Sequence, residues 1–183
     1  MLVAKQIADL LTFGRAMLAV VLIGAGLYQG ENGLPVAALV MLASWTSDTF
    51  DGPLARRSRV QYRTWIGDHD LEVDMTVAAG LLGFMLGKGY VSLWIGGIYL
   101  LFAGLIFWRW GIHRSWGMLF QAPIYGWFIW ITLRDAPLYG ALLVLWIALV
   151  VVVTWPKFPK EVVPGFLDGM RIKTKKDTPP NGK

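Results

Sequence analysis

The chain has 183 residues, of which 56% are hydrophobic, 14% aromatic and only 16% charged, and it contains no cysteine. A water-soluble domain of this size carries about 25% charged residues, and without cysteine there can be neither disulfides nor thiolate metal sites. The formal net charge of +5 would suit nucleic acid, but the placement of the basic residues explains it better.

Apolar runs predict membrane-crossing helices at 10–28, 34–56, 65–87, 91–109, 116–133 and 137–155. Runs of this kind can cross ~30 Å of hydrocarbon at ~1.5 Å per residue. Glycine, proline and polar residues at 29–33, 87–89, 111 and 134–137 separate them. The first span carries Arg15, which is expected to snorkel to the interface. No small-residue cleavage site follows that span, so it reads as a helix and not as a cleaved leader.

The second span ends in Asp48, Asp51, Gly52, Ala55 and Arg56. Asp48 and Asp51 are three apart and share one helical face. Gly52 permits close approach by a ligand, and Arg56 suits phosphate oxygens. A basic loop leads to Asp68, Asp70, Glu72 and Asp74, where Asp70 and Asp74 share a face at a spacing of four. Six of the twelve acidic residues (48, 51, 68, 70, 72 and 74) fall in this window. Ionised carboxylates at a bilayer edge are costly and usually functional. Four hard oxygen donors that converge suit Mg²⁺ or Mn²⁺.

The later spans carry weaker signals. Gly80 with Gly83, and Gly96 with Gly97, could allow close helix contact, although the spacing is not small-xxx-small. Arg109 and Arg114 read as flanking anchors beside Trp108, Trp110 and Trp116 in an aromatic belt, and His69 and His113 as bystanders. Residues 156–183 read as a basic cytoplasmic surface tail ending in disorder; Phe158, Val162, Phe166 and Leu167 could let part of it rest on the membrane.

When the spans alternate direction, fifteen lysines and arginines fall on one side and only Lys88 and Arg134 on the other. That bias places both termini, and all four aspartates, at the cytoplasmic face. The excess charge is then a topology signal with some attraction to anionic headgroups, and no nucleic acid is expected. The expected fold is an all-α polytopic membrane protein with six transmembrane helices, a transmembrane domain over 1–155 and a cytoplasmic tail over 156–183.

The pattern Asp48-x-x-Asp51-Gly52-x-x-Ala55-Arg56, followed by Asp70-x-x-x-Asp74, resembles the signature of the CDP-alcohol phosphotransferases. These are integral membrane enzymes with six transmembrane helices, commonly homodimers. Leu11-Thr12-x-x-Arg15 is similar to the family's opening of the first span, which gives Arg15 a role near the donor as the alternative to snorkelling, so the resemblance covers roughly residues 1–155. The second half of the signature departs from the pattern: Ile66 stands where glycine is usual, with Gly67 beside it. An alternative register puts Thr64 at the glycine position and makes Asp68 and Glu72 the acidic pair.

The resemblance implies a bacterial or archaeal inner-membrane transferase with its site facing the cytoplasm. The donor would be CDP-diacylglycerol and the acceptor a small alcohol, giving a new phospholipid and CMP. Asp48, Asp51 and Asp70 would hold two Mg²⁺ or Mn²⁺ ions. Asp74 would complete the metal site and act as general base, while Gly52, Ala55 and Arg56 would line the nucleotide and phosphate side. Glycerol 3-phosphate is a widespread acceptor in the family, but members that use phosphorylated acceptors often carry a basic residue after the fourth aspartate, and here that residue is Met75; Arg63, Arg109 and Arg114 are the other arginines that could bind an acceptor phosphate. A catalytically inactive homologue and a divalent-cation transporter are the competing readings. Against transport, the carboxylates cluster at one face and no charged layer continues across the bilayer.

Overall fold

The computed structural model describes residues 2–28, 33–57, 69–156, 160 and 163–170. Among them are seven helices and no strand: α1 Leu2–Tyr28, α2 Gly33–Arg57, α3 Asp70–Gly87, α4 Leu93–Trp110, α5 Arg114–Asp135, α6 Pro137–Val153 and α7 Val163–Met170.

Local chemistry sets the helix ends. Asp70 and Glu72 occupy the first turn of α3, where negative charge meets the positive end of the helix dipole. The turn after α3 carries Gly89 at φ 73°, and α4 stops at Gly111 with φ 76°; both are left-handed conformations that glycine adopts without steric penalty. Ser92 caps α4 by accepting a hydrogen bond from the Ile95 N–H at 3.3 Å. Pro137 opens α6, a position where its missing N–H breaks no helical bond.

The core is built mainly on α1, α2 and α3. Leu22, Ala37, Met41, Ala78, Leu81 and Phe84 are buried together, and Phe128 of α5 closes against them. Within this core α1 packs most extensively on α3 and then on α2. The α1–α3 contact runs through small residues. A Cβ added to Gly80 would lie 2.7 Å from the Ala19 carbonyl oxygen, and one added to Gly26 would lie 2.7 Å from the Phe84 Cα. Because Ala19 meets Gly80 and Gly26 meets Phe84, the two helices run parallel. The expectation for Gly80 therefore holds. Gly83 would meet only the Ile23 side chain, and Gly97 has open space around it.

The packing around α4 is different. Trp94, Leu101, Phe102 and Trp108 are exposed, and Gly96 is its buried residue. Tyr99 tethers it to α5 by donating a hydrogen bond to the Phe120 carbonyl. A cavity of about 400 Å³ lies between α3, α4 and α5, lined by residues that include Met85, Tyr90, Ile95, Ile124 and Trp127.

Among the described residues, two helices are long and apolar enough to cross a membrane, α1 over Asp9–Leu27 and α4 over Leu93–Trp110, and α6 is a shorter apolar helix. The other helices expected to span have polar ends: α2 carries Asp48, Asp51, Arg56 and Arg57, α3 begins with three acidic residues, and α5 carries Arg114, Arg134 and Asp135. Part of the expected tail is ordered as α7, which packs on α5. Pro164 sits in its first turn, where proline is tolerated. Phe166 is half-buried and Leu167 exposed. Phe158, Val162 and residues 171–183 lie outside the described residues.

Candidate metal centre

The parallel α1–α3 seam places the first turns of α3 beside the middle of α1. Arg15 lies one turn before Ala19, and Asp74 precedes Gly80 by six residues, so both lie on the same side of the seam contact. The second helix, running back against α1, brings Asp48 to the same point.

These three carboxylates converge on the Arg15 guanidinium. Arg15 Nη1 donates to Asp48 Oδ1 at 2.7 Å and also to Asp74 Oδ1. Its Nη2 donates to Asp70 Oδ1 and reaches Thr12 Oγ1 at 3.4 Å. One ligand oxygen from each of Asp48, Asp70 and Asp74 lies within 4.8 Å of the others. Arg15 is 1% exposed, whereas the side chains of Asp48, Asp70 and Asp74 are 50%, 45% and 27% exposed. The guanidinium thus forms the floor of the cluster, and the carboxylates form a rim open on the other side.

The expectation that Arg15 snorkels to the interface is corrected by this geometry. A buried guanidinium is costly unless it is paired and hydrogen-bonded, and three carboxylates from two other helices supply both. The sequence did hold a signal for this: a basic residue inside an apolar helix calls for an acidic partner on another helix. Trp45 and Tyr125 were not singled out either. Their rings meet edge to face at 5.4 Å, and Trp45 also packs on Trp146 at 5.8 Å. Tyr125 is within electrostatic range of Asp74 and Asp48. Nothing in the spacing of these aromatic residues marks them out from lipid-facing ones.

Arg114, read as a flanking anchor, is exposed at the start of α5 and acts electrostatically on Asp48. Asp51, Gly52, Ala55 and Arg56 continue α2 beyond Asp48, and their side chains lie outside the described residues, as does Asp68. Glu72 is half-buried on α3. Among the described residues, the acidic group that comes together is Asp48, Asp70 and Asp74, and Glu72 is not part of it.

The donor set fits a hard divalent cation. Its oxygens are all carboxylate and they converge. Such a set could hold Mg²⁺ or Mn²⁺. Comparison with protein-family models, curated proteins and solved structures finds no match for the chain.

Proposed function

We propose that the chain is a metal-dependent CDP-alcohol phosphotransferase, transferring a phosphatidyl group from CDP-diacylglycerol to a small hydroxyl acceptor with release of CMP. The observation that carries this reading is the convergence of Asp48, Asp70 and Asp74 from two helices to within 4.8 Å. Those are three of the four aspartates in the pattern that resembles the family signature. The proposed setting is a membrane crossed by six helices, α1 to α6, with both termini and the carboxylate rim on the cytoplasmic side. The fifteen-to-two distribution of basic residues supports that orientation, and a homodimer is the assembly proposed with it.

In this reading Asp48, Asp70 and Asp74, with Asp51 one helical turn beyond Asp48, hold Mg²⁺ or Mn²⁺. The bound ions would neutralise diphosphate charge and stabilise departing CMP. Asp74, the least exposed of the three described aspartates, takes the proton from the acceptor hydroxyl as general base. Gly52 and Ala55 leave room for the nucleotide on the last turns of α2, and Arg56 contacts phosphate oxygens. Arg114, exposed at the start of α5, is the candidate contact for an anionic acceptor, with glycerol 3-phosphate the first to try.

The test is CMP release from CDP-diacylglycerol by purified protein with Mn²⁺ or Mg²⁺ against a panel of acceptor alcohols. Turnover with one acceptor is the expected result. Nucleotide binding without CMP release would favour the inactive homologue, and divalent-cation flux into liposomes without nucleotide would favour transport.

A further inference from the structure

The buried arginine sets the terms on which any cation enters this cluster. Arg15 contacts one oxygen from each of Asp48, Asp70 and Asp74, and these are the carboxylates whose oxygens lie close enough together to hold a divalent ion. Its fork presents several N–H donors in a fixed plane and cannot lose its charge by deprotonation. A divalent ion bound to the same oxygens would lie next to that fixed positive charge, and at ~4 Å the repulsion is strong in a partly desolvated site. The exposure pattern gives the competition a direction. Solvent reaches the rim of carboxylates while Arg15 is sealed beneath it, so an ion approaches from the open side and meets oxygens already engaged from below.

We infer that Arg15 is an internal counter-ion that competes with the divalent cation for Asp48, Asp70 and Asp74, so that it lowers the metal affinity of the site while stabilising the metal-free fold. The inference rests on the metal-site reading above. Two consequences follow from the same contacts. Without metal, Arg15 holds three mutually repelling carboxylates together and so stabilises the packing of α1 on α2 and α3. With metal bound, the guanidinium gives up part of these contacts to the ion while staying buried beneath the rim.

The experiment is Mn²⁺ binding, followed by electron paramagnetic resonance on the full chain in detergent, for wild type, Arg15→Gln, Arg15→Lys and Asp74→Asn. Thermal unfolding would be recorded with and without Mn²⁺. The Arg15→Gln variant should bind Mn²⁺ about tenfold tighter than wild type, within the usual range for couplings between sites. It should also unfold at lower temperature without metal and be stabilised more by Mn²⁺. Arg15→Lys keeps the charge but not the fork and should fall between the two. It therefore remains informative if the glutamine variant does not fold. Asp74→Asn should bind more weakly than wild type. Weaker or unchanged Mn²⁺ binding in both Arg15 variants, with clear binding in wild type, would overturn the competition while leaving the metal site intact. If neither wild type nor the Arg15 variants bind Mn²⁺, the metal-site reading itself fails, and the inference with it.

Discussion

Helices α1 and α4 have similar apolar character yet sit in very different surroundings. The first buries Leu22 and Ala25 against α3 and places Gly26 within backbone contact of Phe84. It also carries a charge, Arg15, matched by carboxylates from two other helices. The fourth leaves Trp94 83% and Trp108 86% exposed, and its clearest polar tie is one hydrogen bond from Tyr99 to Phe120. Hydropathy does not separate these two roles. Small residues at a helix contact and a charge that needs a partner identify a helix packed on protein, and large apolar side chains on every face identify one that requires an apolar surrounding.

The most severe test of that contrast is a charge in the middle of α4. Leu101 is 63% exposed, and lysine at the centre of a spanning helix costs about 2.5–3.5 kcal/mol in insertion. Leu101→Lys should therefore reduce membrane insertion in a translocon assay. Insertion equal to wild type would mean that this face does not meet hydrocarbon.

The packed side of the contrast is tested at Gly80. A Cβ there would lie 2.7 Å from the Ala19 carbonyl oxygen, a backbone atom that cannot swing aside. Gly80→Val should destabilise the protein by about 1–3 kcal/mol, whereas Gly97→Ala, with nothing within 4 Å, should change stability little. Denaturation in detergent reads both, and equal effects would remove the distinction between the two helices.

A smaller effect is expected at the rim. Arg114→Gln should raise KM for an anionic acceptor about fivefold with kcat nearly kept, the mark of a lost binding contact and not a lost transition-state contact. A fall in kcat alone would place Arg114 elsewhere in the reaction. The smallest effect is expected at the far end, where the hydrogen bond from Arg134 and its charge hold Asp135 below the usual carboxylate range. A depressed carboxylate contributes stability at neutral pH that is lost as pH falls through its folded-state value. Both side chains are on the surface, where such pairs contribute little. Asp135→Asn should leave the melting temperature at neutral pH unchanged, and a clear drop would show that this turn is more tightly built than its exposure indicates.

Much of the helical framework was legible in the sequence. The spans expected at 34–56, 91–109 and 137–155 correspond to Gly33–Arg57, Leu93–Trp110 and Pro137–Val153, because glycine and proline mark their ends in any packing. The starts of α1 and α3 were less legible: α1 extends back to Leu2 through Lys5, Gln6 and Asp9, which interrupt the apolar run, and α3 begins at Asp70, in an acidic stretch with no apolar period to follow. Helix α7 was not expected within the tail, because its eight residues include one proline and two glycines, both poor helix formers. At the candidate site, spacing placed Asp70 and Asp74 on one face but left the Asp68 and Glu72 register equally regular. Only the packing of α3 on α1 turns Asp70 and Asp74 toward Asp48. Arg15 could not be assigned from its own helix, since its partners lie 33, 55 and 59 residues away.

The most direct measurement is CMP release from CDP-diacylglycerol with Mn²⁺, comparing wild type with Asp74→Asn and Glu72→Gln. The convergence of Asp74 with Asp48 and Asp70 predicts turnover in wild type and in Glu72→Gln, and a loss of about 10²-fold or more in Asp74→Asn. Turnover that survives in Asp74→Asn and disappears in Glu72→Gln would contradict the assignment of the carboxylate cluster as the reacting centre.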